Sequence, residues 1–400
     1  MTRVLMVLTP PLDPTTGGVQ MSTVKMARML AGQGYEVAVY SFVETGHVEQ
    51  SEAKLFTAPE AGNLGNLANV AGFAGCLAEY APDVVINQMP YEHAITDTIA
   101  EHSNAIRIGC LRNTLYSVRN NLDGYGARLL PSRLVPLARN ALGRKAVLAF
   151  HRRRHAADLR RILSSYDKFV MFAEPNLEEL AYFVPDYDRD KIALIPNSIE
   201  GVAAEVPHKA KRILWLGRVS EHQKRADLIL PLWRQMAEAL PDWTLDVVGD
   251  GPLLPTIQAQ AAAEGLPRIV FHGRQPSQPF FEQAAIYLMT SDFEGFPNTL
   301  VEAQSQGTVP VVFDTYPMAR WLVRSGDNGL LVEAGDVEAM ADQVMALAKD
   351  AEGMHSMAEA AINSAAALTE DRVAVAWRSL LEEIMNPIGV VTSACLPTKS

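Results

Sequence analysis

Two glutamates eight positions apart, Glu294 and Glu302, frame the most chemically loaded stretch of the sequence, Ser291–Ala303. Between them lie Gly295, Phe296, Pro297, Asn298 and Thr299, and the apolar run Ile286–Met289 precedes them. The order strand, Gly/Pro loop, helix places Pro297 in the first helical turn, where its missing N–H costs nothing. The amides of Asn298, Thr299 and Leu300 then offer donors, and the positive helix end, to an anion. Each carboxylate can accept two hydrogen bonds side by side, as the vicinal hydroxyls of a ribose or hexose would donate them. Amides for phosphate beside carboxylates for sugar hydroxyls predict a nucleotide-sugar pocket. The plainer alternative is a solvated helix start, where Glu is favoured in any case.

A second stretch, Leu214–Lys224, runs from a strand into a loop carrying Gly217 and two cations six positions apart, Arg218 and Lys224. A departing nucleoside diphosphate gains negative charge as its bond to the sugar breaks, and cations fixed beside it can do the work of a metal ion. A third stretch, Thr16-Gly17-Gly18-Val19-Gln20, lies between the first strand and the first helix. Its two glycines let backbone approach a phosphate or sugar closely. His93, after a strand end, and Arg112 and Asn113, after Arg107–Cys110, are candidates for acceptor contact. Their plain alternatives are a surface histidine and a structural ion pair.

Other patterns carry less. Asp186-Tyr187-Asp188-Arg189-Asp190 contains a D-x-D, but it sits in a polar turn, and an EF-hand would need Gly where Lys191 stands. It reads as a surface turn, and the site is expected to need no metal. Gly249-Asp250-Gly251 begins a G-x-G-x-x-G but has Leu254 at the sixth position, so it reads as a strand-to-helix turn and not a dinucleotide fingerprint. The three cysteines, Cys76, Cys110 and Cys395, form no C-x-x-C and read as reduced thiols.

The elements that must hold these residues alternate along the chain. Strand runs are expected at Val4–Leu8, Glu36–Phe42, Asp83–Ile86, Ala105–Cys110, Lys168–Phe172 and Ile192–Ile195. After a polar stretch, Asn197–Lys211, a second series is expected at Arg212–Leu216, Trp243–Val248, Ile269–Phe271, Ile286–Leu288 and Val309–Phe313. Helical spacing fills the gaps, as with Met21, Val24, Ala27 and Leu30 on one face of Gln20–Leu30. Such alternation predicts an α/β protein with two Rossmann-like, doubly wound domains. The expected limits are 1–196 and 197–370, then a helix over 371–386 packing back on the first domain and a tail over 387–400. Ligands of such sheets bind beyond the carboxyl ends of the strands, so a cleft between facing domains is the expected site. The chain is long enough for this at 400 residues, with 48% hydrophobic and 20% charged residues, which excludes a disordered or disulfide-stapled class. A net charge of −11 speaks against nucleic acid as a partner. The N-terminal apolar run is too short for a signal peptide or a spanning helix.

Taken together and in this order, the motifs resemble the retaining glycosyltransferases of family 4, which have the GT-B fold. Glu294 to Glu302 is similar to that family's E-x7-E signature, Arg218 and Lys224 to its Arg-x5-Lys pair, and Gly17-Gly18-Val19-Gln20 to its glycine loop. Ile195-Pro196-Asn197-Ser198 looks like its interdomain Ile-Pro-Asn-Gly segment with Ser198 in place of Gly. The resemblance covers residues 1 to about 385. It implies that Arg218 and Lys224 hold the donor diphosphate with Gly18 approaching it, and that Glu302 binds the ribose. It further implies that Glu294 contacts the transferred sugar, framed by the Phe296–Thr299 backbone. Many relatives carry a His where Arg112 stands here, and a guanidinium cannot act as a base at neutral pH.

The implied activity is transfer of a hexose, with retention and without metal, from a nucleotide diphosphate sugar to a hydroxyl of a lipid-linked or growing polysaccharide. The family's base rates favour a UDP-sugar over a GDP-sugar. The rivals are a sugar-nucleotide epimerase of the same fold and a degenerate, non-catalytic donor-binding subunit. Residues 128–168 hold eleven Lys/Arg against Asp158 and Asp167 in an otherwise acidic chain. That reversal predicts a surface for an anionic membrane and a cytoplasmic protein peripheral to the inner face of the cytoplasmic membrane. If Leu134–Leu163 were one helix, Leu134, Leu137, Ala141, Leu148, Leu159, Ile162 and Leu163 would share its apolar face.

Overall fold

A computed structural model describes residues 1–13, 17–43, 53–62, 64–120, 122 and 140–386. The chain divides into two compact units. The first comprises residues 1–113, 149–198 and the segment from Glu370; the second comprises 114–148 and 199–369.

The first unit holds a seven-stranded parallel sheet: β1 (Arg3–Leu8), β2 (Glu36–Ser41), β3 (Lys54–Thr57), β4 (Val84–Asn87), β5 (Ile106–Cys110), β6 (Lys168–Met171) and β7 (Ile192–Leu194). Their spatial order is β3-β2-β1-β4-β5-β6-β7. Successive residues of β1 feed opposite faces, as the pleat requires. Val4, Met6 and Leu8 pack under the helices Gly18–Gly32 and Glu370–Met385, while Leu5 and Val7 face Phe73 and Leu77 of the helix Leu67–Tyr80. Trp377 is buried in the first of these cores, and Arg28 pairs with Glu370 at 2.7 Å, tying the last helix to the first.

The second unit holds β8 (Ala210–Leu216), β9 (Thr244–Val248), β10 (Ile269–Gly273), β11 (Ala284–Met289), β12 (Val309–Phe313) and β13 (Leu330–Val332), in the order β10-β9-β8-β11-β12-β13, again all parallel. Trp215, Trp233 and Phe313 lie at the centre of its core. Strands β3 and β13 were not expected from the sequence. The first is a four-residue edge strand with little burial and the second has three residues, so neither carries a strong apolar signal.

In each sheet the chain winds outward from one strand, then returns and winds the other way. The reversal falls between β1 and β4 in the first unit and between β8 and β11 in the second. At such a switch point adjacent loops leave in opposite directions and open a crevice at the carboxyl ends of the strands. The described segments that leave there are 9–13 and 88–92 in one unit, and 217–225 and 290–297 in the other.

Candidate functional site

The chemistry-bearing motifs of the second unit meet at its switch point. Arg218 and Lys224 lie beyond β8, and Glu294 lies beyond β11. The adjacency of β8 and β11 brings the two loops together: Lys224 Nζ donates to Glu294 Oε1 at 2.7 Å, and Gln223 Nε2 to Glu294 Oε2 at 3.2 Å. The Lys224 and Glu294 side chains are 18% and 9% exposed, so this is a largely dehydrated ion pair. The guanidinium of Arg218 is exposed and takes no partner among the described residues.

The loops are laced to each other and to the sheet. Trp215 Nε1 donates to Thr290 Oγ1 at 2.9 Å, and that hydroxyl donates to the Lys224 carbonyl at 2.7 Å. The amide of Asp292 donates to the Gln223 carbonyl at 2.8 Å, and Arg225, in left-handed backbone at φ 49°, pairs with Asp227 and Asp292. Burial raises the Asp292 carboxyl above its ordinary range, with Arg225 acting against it. Glycine is required where β8 and β9 end. At Gly249, with φ 138°, a Cβ would lie 1.9 Å from the Gly217 carbonyl oxygen, and at Gly251 one would lie 2.4 Å from that of Val219. The Gly249–Gly251 segment is therefore a strand-to-helix turn pressed against the Arg218 loop.

Glu302 and Thr299 sit on the helix Asn298–Ser305. Glu302 is half-buried and accepts from Ser277 Oγ at 3.1 Å. Thr299 Oγ1 accepts from the buried Tyr287 hydroxyl at 2.9 Å, which braces the helix start against β11. Two local expectations need correction. Pro297 flanks the helix instead of opening it, because the helix begins at Asn298. Two of the three amides expected to face an anion donate locally: Asn298 to the Phe296 carbonyl and Leu300 to that of Pro297, both at 2.9 Å. Gly295, Phe296 and Pro297 are buried, which seats the loop firmly under Glu294.

In the first unit, Gly17 is extended (φ 177°) and the first helix begins at Gly18; Thr16 lies outside the described residues. His93 is half-buried and opens the helix His93–His102, and the neighbouring Glu92 accepts from Thr9 Oγ1 at 2.5 Å. Asn113 is exposed. Arg112 forms no ion pair among the described residues, contrary to its structural alternative; it donates to Gln88 Oε1 and, at 3.2 Å, to Asn197 Oδ1. Sequence reasoning did not single out Gln88, Gln223, Tyr287, Glu92 or Thr290. Gln223 and Glu92 adjoin residues it named, and the rest matter only through neighbours far along the chain.

The basic segment is only partly described, since residues 123–139 lie outside the described set, with Arg128, Arg133, Arg139, Leu134 and Leu137 among them. Its described part is one helix, Ala141–Ser165, unbroken at Gly143. Leu159, Ile162 and Leu163 of this helix are buried in the first unit, so the expected apolar face turns inward there. Arg160 pairs with Asp186, Arg161 with Asp97 and Lys168 with Glu383, and Arg152 lies over the Tyr182 ring. Leu142 and Phe150 are exposed, at 81% and 54%. Asp188 caps a short turn by accepting from the Asp190 amide, so the D-x-D carboxylates do structural work. No helix among the described residues is long and apolar enough to cross a membrane. Cys76 and Cys110 are free and buried; Cys395 and the tail 387–400 lie outside the described residues.

Residues 210–350 match the family model for glycosyl transferases group 1. Two curated relatives are an exopolysaccharide phosphotransferase of Streptomyces coelicolor, 30% identical over 49% of this chain and 21% of that protein, and a lipopolysaccharide 1,6-galactosyltransferase of Salmonella typhimurium, 32% identical over 36% and 42%. The chain thus spans less than half the length of these relatives. Among solved structures, Anabaena HepE in complex with UDP and glucose superposes over 96% of this chain and all of that one, with a TM-score of 0.71 at 16% identity. That likeness shows a shared fold, the two-sheet GT-B class.

Proposed function

We propose that this chain, whose residues 210–350 match the glycosyl transferases group 1 family model, moves a hexose from a nucleotide diphosphate sugar to a hydroxyl of a lipid-linked or growing polysaccharide acceptor, with retention and without a metal. The observation that carries the reading is the meeting of Lys224 and Glu294 at the switch point between β8 and β11. A cation and a carboxylate held 2.7 Å apart suit two adjoining parts of one donor. Lys224 and the exposed Arg218 take the diphosphate, whose charge grows as the bond to the sugar breaks. Glu294 takes hydroxyls of the transferred sugar, with the Gly295–Thr299 loop beneath it, and Glu302 takes the ribose. Gly17 and Gly18 offer close backbone approach, and His93, Arg112 and Asn113 serve the acceptor.

A UDP-sugar is favoured over a GDP-sugar by the base rates of the resembled family, and the names of the relatives favour a polysaccharide acceptor. Attraction to an anionic leaflet would come from the exposed cations of 128–168, of which Lys145, Arg153 and Arg154 are solvated in the described part. The apolar contribution would come from the exposed Leu142 and Phe150, not from the buried Leu159, Ile162 and Leu163.

The test is a panel of UDP- and GDP-sugars scored by thermal shift and donor hydrolysis, with and without EDTA. One nucleotide sugar should stabilise the protein and be hydrolysed slowly, with no effect of EDTA. A new sugar nucleotide formed from donor alone would point to an epimerase. Strict metal dependence would refute the cation-only account, and binding without turnover under any acceptor would leave a donor-binding subunit.

A further inference from the structure

Arg112 is a cation with no counter-charge among the described residues. It stands two residues beyond Cys110, the end of β5, at the carboxyl edge of the first sheet. Its guanidinium is oriented by neutral groups. Nε donates to Gln88 Oε1 beyond β4, and Nη1 donates to Asn197 Oδ1 beyond β7. Gln88 is itself 1% exposed, with its Nε2 3.8 Å from the Met26 sulfur of the first helix, so it is fixed from both ends. The remaining nitrogen, Nη2, is shielded from solvent and makes no hydrogen bond among the described residues; the buried Cys110 thiol, a neutral group whose ionisation burial opposes, also lies against the guanidinium. The residue as a whole keeps part of its surface exposed, so the place is not sealed.

Other arginines of the chain show what is missing. Arg212, packed against β9, donates to both oxygens of Asp246, and Arg225 is held by Asp227 and Asp292. Arg268 has no carboxylate, but it donates to the backbone carbonyls of Trp243 and Ala237 and leaves no shielded nitrogen unpartnered. Arg112 alone among these combines a neutral cradle with an unused donor. Removing a charge from water without a partner is costly, and a planar guanidinium fork matches the two oxygens of a carboxylate or phosphate.

We infer that Arg112 is the receptor for an oxyanion, a phosphate or a carboxylate, carried by the acceptor, with Gln88 and Asn197 as positioning residues that aim the guanidinium. The existence of the oxyanion site rests on the geometry above; its assignment to the acceptor rests on the transferase reading. On this account the acceptor is an anionic glycan or a phosphate-linked one, and neutral oligosaccharides are poor substrates.

The test is thermal unfolding at fixed ionic strength with inorganic phosphate, or glucuronate, replacing chloride. It is run in an Arg218→Gln background, so that a donor diphosphate contact does not contribute. The Arg218→Gln protein should be stabilised by one or both anions, which also separates phosphate from carboxylate, and adding Arg112→Gln should weaken that binding at least tenfold. An equal response with and without Arg112 would mean an adventitious ion only and overturn the proposal. Should Arg112→Gln fail to fold, Arg112→Lys keeps the charge without the fork and must bind the anion more weakly at an unchanged melting temperature in its absence; equal affinity overturns the proposal. UDP binding is measured on the wild-type and Arg112→Gln proteins in parallel. Anion binding at Arg112 without any UDP binding would sink the transferase reading and leave the oxyanion site standing.

Discussion

Replacing Lys224 with Met tests the centre of the candidate site, and its cost can be worked from the ion pair. Glu294 has a side chain only 9% exposed and two side-chain partners, Lys224 at 2.7 Å and Gln223 at 3.2 Å. Removing one member of a buried pair typically costs about 3–5 kcal/mol, because the other charge stays buried and unpaired. Gln223 remains to donate one hydrogen bond, which puts the expected loss at the lower end, about 3 kcal/mol. For a unit of this size that lowers the melting temperature by roughly 6–12 °C. The Lys224→Met, Glu294→Met double variant leaves no orphaned charge and should recover most of that loss, giving a coupling energy of at least about 2 kcal/mol in a double-mutant cycle. Both single variants and the double should lose transfer. Scanning calorimetry supplies the stabilities and donor hydrolysis the activity. Additive destabilisation with no recovery in the double variant would refute the pairing, and Lys224→Met with near wild-type turnover at saturating donor would refute the diphosphate role.

Four further outcomes are expected. Glu302→Gln should weaken free nucleotide binding, whereas Glu294→Gln, which relieves Lys224 of its counter-charge, should leave it intact or tighter while lowering transfer; equal losses by calorimetric titration would mean that the ribose and sugar assignments are wrong. Gly249→Ala would place a Cβ 1.9 Å from the Gly217 carbonyl oxygen in backbone at φ 138°, so it should cost more than about 3 kcal/mol and abolish donor binding together with the fold of the loop, as circular-dichroism melts would read. Burial, with a smaller contribution from His151, holds the His155 imidazole down to about 4; its folded value lies below the unfolded one, so stability falls as pH drops from about 6.5 to 4, by about 3 kcal/mol in all, and His155→Phe should flatten that part of the pH–stability curve. Co-sedimentation with vesicles should require anionic lipid, vanish at high salt, and fail for Arg153→Glu, Arg154→Glu, while binding indifferent to lipid charge would favour a soluble acceptor.

The strand series, the two-sheet class and the placement of Arg218, Lys224 and Glu294 in strand-end loops were legible in the sequence, because each depends on neighbours a few positions away. Apolar runs of four to six residues separated by helical spacing specify parallel strands wherever they fall, and Gly217-Arg218 after one such run and Glu294-Gly295 after another can only be strand-end loops. The motif resemblance then attached roles to positions that local chemistry had already picked out. What the residues do to each other was not legible. Lys224 meets Glu294, 70 positions away, only because β11 returns to lie beside β8 instead of continuing outward from β10. Arg112 reaches Gln88 and Asn197, 24 and 85 positions away, because β4 and β7 end at the same edge of one sheet as β5. The face that Ala141–Ser165 turns inward is likewise set by packing: periodicity alone marks Leu159, Ile162 and Leu163 as apolar, but whether protein or lipid covers them depends on what lies opposite. Local pattern thus selected the groups, and strand order, a property of the whole chain, decided that Lys224 is paired with Glu294 and that Arg112 is held by neutral side chains.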